Sequence, residues 1–172
     1  MGQGISRSPL RPRQRPKGLF LMIGAGFSDF LSPKRSISIW RHRWDEAIGH
    51  FTRALHLNKR LEGAYVELGY AYFRKHDYEK EGAAYQEALN LNPDDSDALY
   101  SLAWNLESRG RYGEAIPLYE KALKLAPDDT ELLYQLGLSY LAQGKRDKAT
   151  EMCGKLEKFD RGQAGLLRRL IK

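Results

Sequence analysis

The chain has 172 residues, 42% of them apolar and 29% charged, which is room for one domain or a short repeat array of ordinary globular composition. No run approaches the roughly 18–20 apolar residues that a membrane-spanning helix needs, and a single cysteine, Cys153, excludes an internal disulfide framework and a multi-cysteine metal site. The net charge of +6 is unevenly placed: residues 1–43 hold nine Lys/Arg against one acid, Asp29, so the remaining residues carry −2 and nucleic-acid binding by the folded part is not expected.

The first element, residues 1–27, is a basic, Pro- and Gly-rich leader too polar over residues 1–18 to pack. Gly18–Phe27 is apolar but only ten residues long. A basic start followed by a short apolar stretch fits a secretory signal, although no Ala-x-Ala cleavage site follows. Met1-Gly2-Gln3-Gly4-Ile5-Ser6 fits an N-myristoylation pattern, and Arg7–Lys17 could meet an acidic surface or nucleic acid, although no interleaved aromatics support the latter. The favoured reading is a disordered tail or an over-extended start with Met22 as an alternative first residue. Membrane contact is expected only through this leader, and the expected location is cytoplasmic, or exported if residues 1–27 act as a signal peptide.

Beyond the leader, equivalent residues return every 34 positions. Leu89-Asn90-Leu91-Asn92-Pro93-Asp94-Asp95-Ser96 recurs as Leu123-Lys124-Leu125-Ala126-Pro127-Asp128-Asp129-Thr130, each followed by Leu-Tyr three residues on. The same interval links Gly69, Ala103 and Gly137; Tyr85 and Tyr119; Ala88 and Ala122; and Gly110 and Gly144. In chain order this predicts a degenerate first repeat over 28–61, repeats over 62–95, 96–129 and 130–162, and a capping helix over 163–172. In the first repeat, Trp44–Leu57 aligns with the second half of the later copies, whereas the segment near Ser28–Trp40 has Pro33 and Lys34-Arg35 where Leu-Gly is expected, so its first helix is degenerate or missing. Glu81 stands where the next copy should carry a small residue, a place that Gly82 or Ala83 could take.

Within each unit the periodicity is helical. Leu99, Leu102, Ala103 and Leu106 follow i, i+3, i+4, i+7, and Tyr112, Ala115, Ile116, Tyr119 and Leu123 form a second stripe. Gly110 falls between the two, as expected just past a helix end. Pro93 and Pro127 stop the preceding helix, and the Asp-Asp-Ser/Thr that follows supplies capping oxygens for the next. One such helix pair cannot bury its apolar face alone, whereas stacked pairs can. At the C-terminus, Leu167 and Leu170 match Leu133 and Leu136, with Arg168, Arg169 and Lys172 on the wet side.

This pattern resembles the tetratricopeptide repeat (TPR) family, whose signature is carried here by Tyr65, Leu68-Gly69, Tyr72, Tyr85, Ala88 and Pro93, by Leu99, Leu102-Ala103, Leu106, Ala115, Tyr119, Ala122 and Pro127, and by Leu133, Leu136-Gly137, Tyr140, Ala149 and Cys153. The resemblance implies an all-α, right-handed solenoid of helix-turn-helix hairpins with a C-terminal capping helix. It also implies a concave groove lined by the first helix of each pair, through Gly63, Val66, Tyr70 and Phe73, then Asp97, Tyr100, Trp104 and Glu107, then Glu131, Tyr134, Leu138 and Leu141. Relatives that clamp an acidic chaperone C-terminus use Lys, Asn and Arg at places held here by Val66, Tyr70, Tyr100, Trp104, Tyr134 and Leu138. The expected partner is therefore a protein or peptide with apolar anchors, an amphipathic helix or an extended hydrophobic segment. Self-assembly through the incomplete first repeat, by way of Trp40, Trp44 or Phe51, is the alternative.

No catalytic, cofactor or metal site is predicted. His42, His50, His56 and His76 form no zinc-protease pair. Cys153 sits in phase with Tyr85 and Tyr119, which predicts a packing role rather than a nucleophile. Gly24-Ala25-Gly26 lacks the residues that would make it a phosphate loop.

Overall fold

The computed structural model describes residues 33–172, with side chains from Arg43 onward, so the leader and Trp40's side chain lie outside the described residues. Eight helices follow one another among these residues and no strand: α1 Pro33–Leu57, α2 Glu62–Arg74, α3 Tyr78–Leu91, α4 Ser96–Ser108, α5 Tyr112–Leu125, α6 Thr130–Ala142, α7 Arg146–Leu156 and α8 Arg161–Ile171. Each packs on its sequence neighbours, α2 with α3, α4 with α5 and α6 with α7 as hairpins, and α3 with α4 and α5 with α6 between them. The result is a helical solenoid.

The turn chemistry repeats with the sequence. Asp95 caps α4 by accepting from the backbone N–H groups of Asp97 and Ala98 at 2.9 and 3.1 Å, and Asp129 caps α6 by accepting from Glu131 and Leu132 at 3.0 and 3.1 Å. The second Asp of each Asp-Asp pair is thus the cap, and Ser96 and Thr130 are the first helical residues. Inside the hairpins, Gly110 and Gly144 adopt φ of +72° and +73°, the left-handed conformation that ends a helix most cheaply in glycine. The equivalent place in the first hairpin is His76, at φ +61°, where a side chain strains the same turn.

The core runs as one seam. Leu99, Ala103, Ala115, Tyr119, Ala122, Leu132, Leu133, Leu136, Leu156 and Leu167 are almost wholly buried. Cys153 is buried as its phase predicts, its thiol donating to the Ala164 carbonyl at 3.3 Å. Small residues set the helix spacing: a Cβ on Gly69 would stand 2.8 Å from the Tyr85 ring, and one on Gly137 only 2.5 Å from Leu167 Cδ2. Leu167 is fully buried and holds α8 against α6, so Gly137→Ala forces it out of its seat. We expect a loss of about 1–2 kcal/mol in urea unfolding, with amide exchange accelerated first in α8; an unchanged midpoint and unchanged exchange would show that Leu167 yields at no cost.

Two places depart from the repeat. Residues 33–57 are one continuous 25-residue helix, with no turn between the Trp40 region and Trp44–Leu57. Pro33 is its first residue, where proline's missing N–H costs nothing, and Lys-Arg after it does not oppose helix. At the other end Leu167 is buried like Leu133, but Leu170 is 58% exposed whereas Leu136 is buried, because α8 is followed by no second helix in the structure to cover that face. Leu166 and Phe159 are exposed beside it.

Candidate functional site: an aromatic face on the first helices

The twelve residues expected to line the groove lie on α2, α4 and α6; Val66, Tyr70, Phe73, Tyr100, Trp104, Glu107, Glu131, Tyr134, Leu138 and Leu141 are half-buried, and Gly63 and Asp97 are exposed. Side chains of successive first helices meet directly. Tyr70 and Phe73 lie at 6.2 Å on α2, and Phe73 meets the Trp104 ring of α4 edge-on at 5.2 Å and 81°. One member was missed by the sequence reading. Trp44 of α1 stands edge-on to Tyr70 at 5.7 Å and 85°, with the Arg74 guanidinium 4.8 Å above its ring. Trp44 lies in α1, outside the first helices of the three full repeats to which the family resemblance points.

The row Trp44–Tyr70–Phe73–Trp104 crosses three helices. Edge-to-face pairs of this kind contribute about 0.5–1.5 kcal/mol beyond their area, so the rings hold one another in place before any ligand arrives. Arg74 also donates to the Tyr70 hydroxyl at 3.3 Å, leaving a cation at the edge of the row.

The α4–α6 half is tied down by hydrogen bonds. Tyr100 donates to Glu131 at 3.2 Å, and its ring lies 5.8 Å from that of Tyr119. Glu107 accepts from the Tyr119 hydroxyl at 2.8 Å and from Ser139 at 3.0 Å. Glu107 is therefore a strut joining α4, α5 and α6 as well as a groove position. Tyr134, Leu138 and Leu141 continue the face as partly buried apolar groups packed on the core. Burial, together with the nearby Glu107 carboxylate, pushes the Tyr119 phenol well above its ordinary range.

A second polar arrangement lies between α3 and α4. Glu81 is 1% exposed and Asn105 is fully buried, which corrects the expectation that Gly82 or Ala83 would fill the small-residue place, since Glu81 itself takes it while Ala83 is exposed. Asn105 donates to the Tyr78 carbonyl at 2.8 Å, while its Oδ1 and Glu81 Oε2 have no hydrogen-bond partner. Loss of solvent, opposed by a hydrogen bond from Asn105, pushes the Glu81 carboxyl up to about 7.

Among the described residues no group of three or more His, Cys, Asp or Glu is placed to hold a metal, and no helix is long and apolar enough to cross a membrane.

Comparison with known proteins adds the family. Two tetratricopeptide repeat models match the chain, over residues 60–128 and 106–171. Among solved structures, the chain is similar to a MamA protein at 29% identity, covering 71% of this chain and 67% of that one with a TM-score of 0.64. It shares its fold with YrrB, described as a TPR protein with an unusual peptide-binding site, at 23% identity over 79% of this chain and 72% of that one, TM-score 0.68. It likewise shares its fold with the MamA of Desulfovibrio magneticus RS-1, at 24% identity over 78% and 81%, TM-score 0.68. No curated protein sequence matches it. With the 34-residue interval, the hairpins and both family models in agreement over residues 60–171, the chain belongs to the tetratricopeptide repeat family.

Proposed function

We propose that this chain is a non-catalytic scaffold that binds a peptide or helix across the aromatic face of α2, α4 and α6, by apolar anchors rather than by a carboxylate clamp. The observation that carries the proposal is the row Trp44–Tyr70–Phe73–Trp104, half-buried and held by two edge-on ring contacts and one tilted one. Rigid aromatics that are already oriented lose little freedom on binding and are the usual centres of interface energy. The family's general role as a protein-interaction fold supports the same reading.

The test is selection of random peptides on the immobilised chain, followed by affinity measurement with a triple variant, Tyr70→Ala, Trp104→Ala and Tyr134→Ala. Each truncation of a central aromatic anchor removes about 1–2 kcal/mol, so the triple variant is expected to lose at least 100-fold in affinity. Tyr100 and Glu107 are left intact because they also hold the helices together. Selected peptides that bind the triple variant as tightly as the parent chain would overturn the groove assignment.

A further inference from the structure

A cleft of about 430 Å³ opens on the opposite side of the array from the aromatic row, between the second helices α3 and α5, with α4 as its floor. Its walls are Gly82, Ala83 and Gln86 on one side and Glu114 and Leu118 on the other, over Leu102, Asn105 and Leu106. The repeat explains why it is there. Leu106 is in phase with Tyr72 and Tyr140. In the third repeat the Tyr140 ring fills the equivalent place between α5 and α7: it is 4% exposed, its hydroxyl donates to Glu120, and Lys148 lies 5.1 Å above it. In the first repeat Lys80 covers Tyr72 in the same way, at 5.5 Å.

In the middle repeat the ring is missing and so is its cationic lid, because the residue in phase with Lys80 and Lys148 is Glu114, which pairs with Arg111 through two contacts of 2.7 Å at the wall of the cleft. The residue in phase with Glu120, the acceptor of the Tyr140 hydroxyl, is Gln86, and it lines the cleft. Beneath it lies a further acceptor. Asn105 is fully buried, its Oδ1 has no partner, and it points toward Gly82, on which a Cβ would stand 3.0 Å away. A buried carbonyl without a donor is costly, and a donor brought by a ligand removes that cost.

We propose that this cleft is a second binding site, separate from the aromatic face, and that it takes a phenol-like ring whose hydroxyl donates to Gln86 Oε1 or Asn105 Oδ1. The ring lies on Leu106 and Leu102 where its two neighbours supply a tyrosine from within the chain. The same chemistry reaches the site either as a partner's tyrosine side chain or as a free phenolic small molecule.

The experiment is an NMR titration of the isotope-labelled full chain with 4-ethylphenol, with ethylbenzene, and with the capped tripeptide Gly-Tyr-Gly. The expected result is saturable shifts of the Asn105 side-chain amide and the Gly82 backbone amide with 4-ethylphenol, and at least threefold weaker binding of ethylbenzene, which lacks the donor. Leu106→Tyr, which supplies the missing ring in cis, should weaken 4-ethylphenol at least tenfold. Ala83→Leu, which fills the cleft from an exposed wall position, should do the same and stands in if the first variant misfolds. Tripeptide binding equal to that of 4-ethylphenol assigns the site to a partner's side chain, and tenfold weaker tripeptide binding assigns it to a free ligand. Shifts absent from Asn105 and Gly82, equal binding of ethylbenzene, or binding untouched by both filling variants would each overturn the proposal. Loss of peptide binding at the aromatic face would leave these readouts unmoved, so the two sites fail independently.

Discussion

Tyr119→Ala is expected to lower the unfolding free energy by about 3–5 kcal/mol, the range for deleting a large buried aromatic. Tyr119 is wholly buried on α5, and its ring lies 5.8 Å from that of Tyr100 on α4. Its hydroxyl adds a second loss. It donates at 2.8 Å to Glu107, which also accepts from Ser139 of α6, so one phenol joins three consecutive helices. Tyr119→Phe separates the two contributions: it keeps the ring and leaves Glu107 with Ser139 as its remaining donor, at an expected cost of about 1.5–2 kcal/mol for a hydrogen bond to a charged acceptor. Urea denaturation measures both. Because stability in a repeat array is a sum of unit and interface contributions, the alanine variant should also lower the m-value, as α2–α3 and α6–α8 cease to unfold together. A loss under about 2 kcal/mol for alanine, or equal losses for alanine and phenylalanine, would show that the ring is not the keystone of the seam.

The place of Tyr119 is legible in the sequence because it is periodic. It recurs with Tyr85 and Cys153 at the helical place that meets two neighbours at once, and all three are buried. The expected groove residues came instead from the family resemblance, which points to set places on each first helix. Phase fails where a contact joins different places in adjacent repeats. Trp44 meets Tyr70, a second-helix position against a first-helix position, and Glu81 meets Asn105 across the α3–α4 interface. Neither pair is 34 apart, so self-comparison shows each residue only as an exception and not as a partner. The cleft at Leu106 was legible only in part: the phase shows a leucine where Tyr72 and Tyr140 stand, but both types satisfy the apolar pattern, and only the packing shows the volume left beside it. The single long helix α1 was not legible because Lys34-Arg35 breaks the match to a first helix without opposing helix itself.

Glu81 makes the stability of the array depend on pH, in a direction opposite to that of a salt-bridged acid. Its folded-state value of about 7 lies above the ordinary 4.5 because burial withdraws the carboxylate from water. Folding therefore favours the protonated form. The contribution is full below pH 4.5, is lost progressively as pH rises to about 7, and is absent above that. At about 1.4 kcal/mol per pH unit the ceiling is about 3 kcal/mol, and solvent screening at the open cleft reduces the expectation to about 2 kcal/mol. The surroundings offer the carboxylate little compensation. Asn105 is its one hydrogen-bonding neighbour on α4, Tyr85 on its own helix adds no cation, and at the cleft Arg111 is engaged with Glu114 while Arg109 lies 3.9 Å from Glu79. Glu81→Gln removes the ionisation and keeps the shape. We expect it to raise the urea midpoint at pH 8 by the equivalent of about 2 kcal/mol, to leave the midpoint at pH 4.5 nearly unchanged, and to flatten the slope between. The comparison must be made against the parent chain at each pH, because every other titrating group then cancels. A parent chain and a variant with parallel pH profiles would mean that Glu81 keeps its charge in the fold, and that the orphaned oxygens at Glu81 and Asn105 are satisfied by water entering from the cleft.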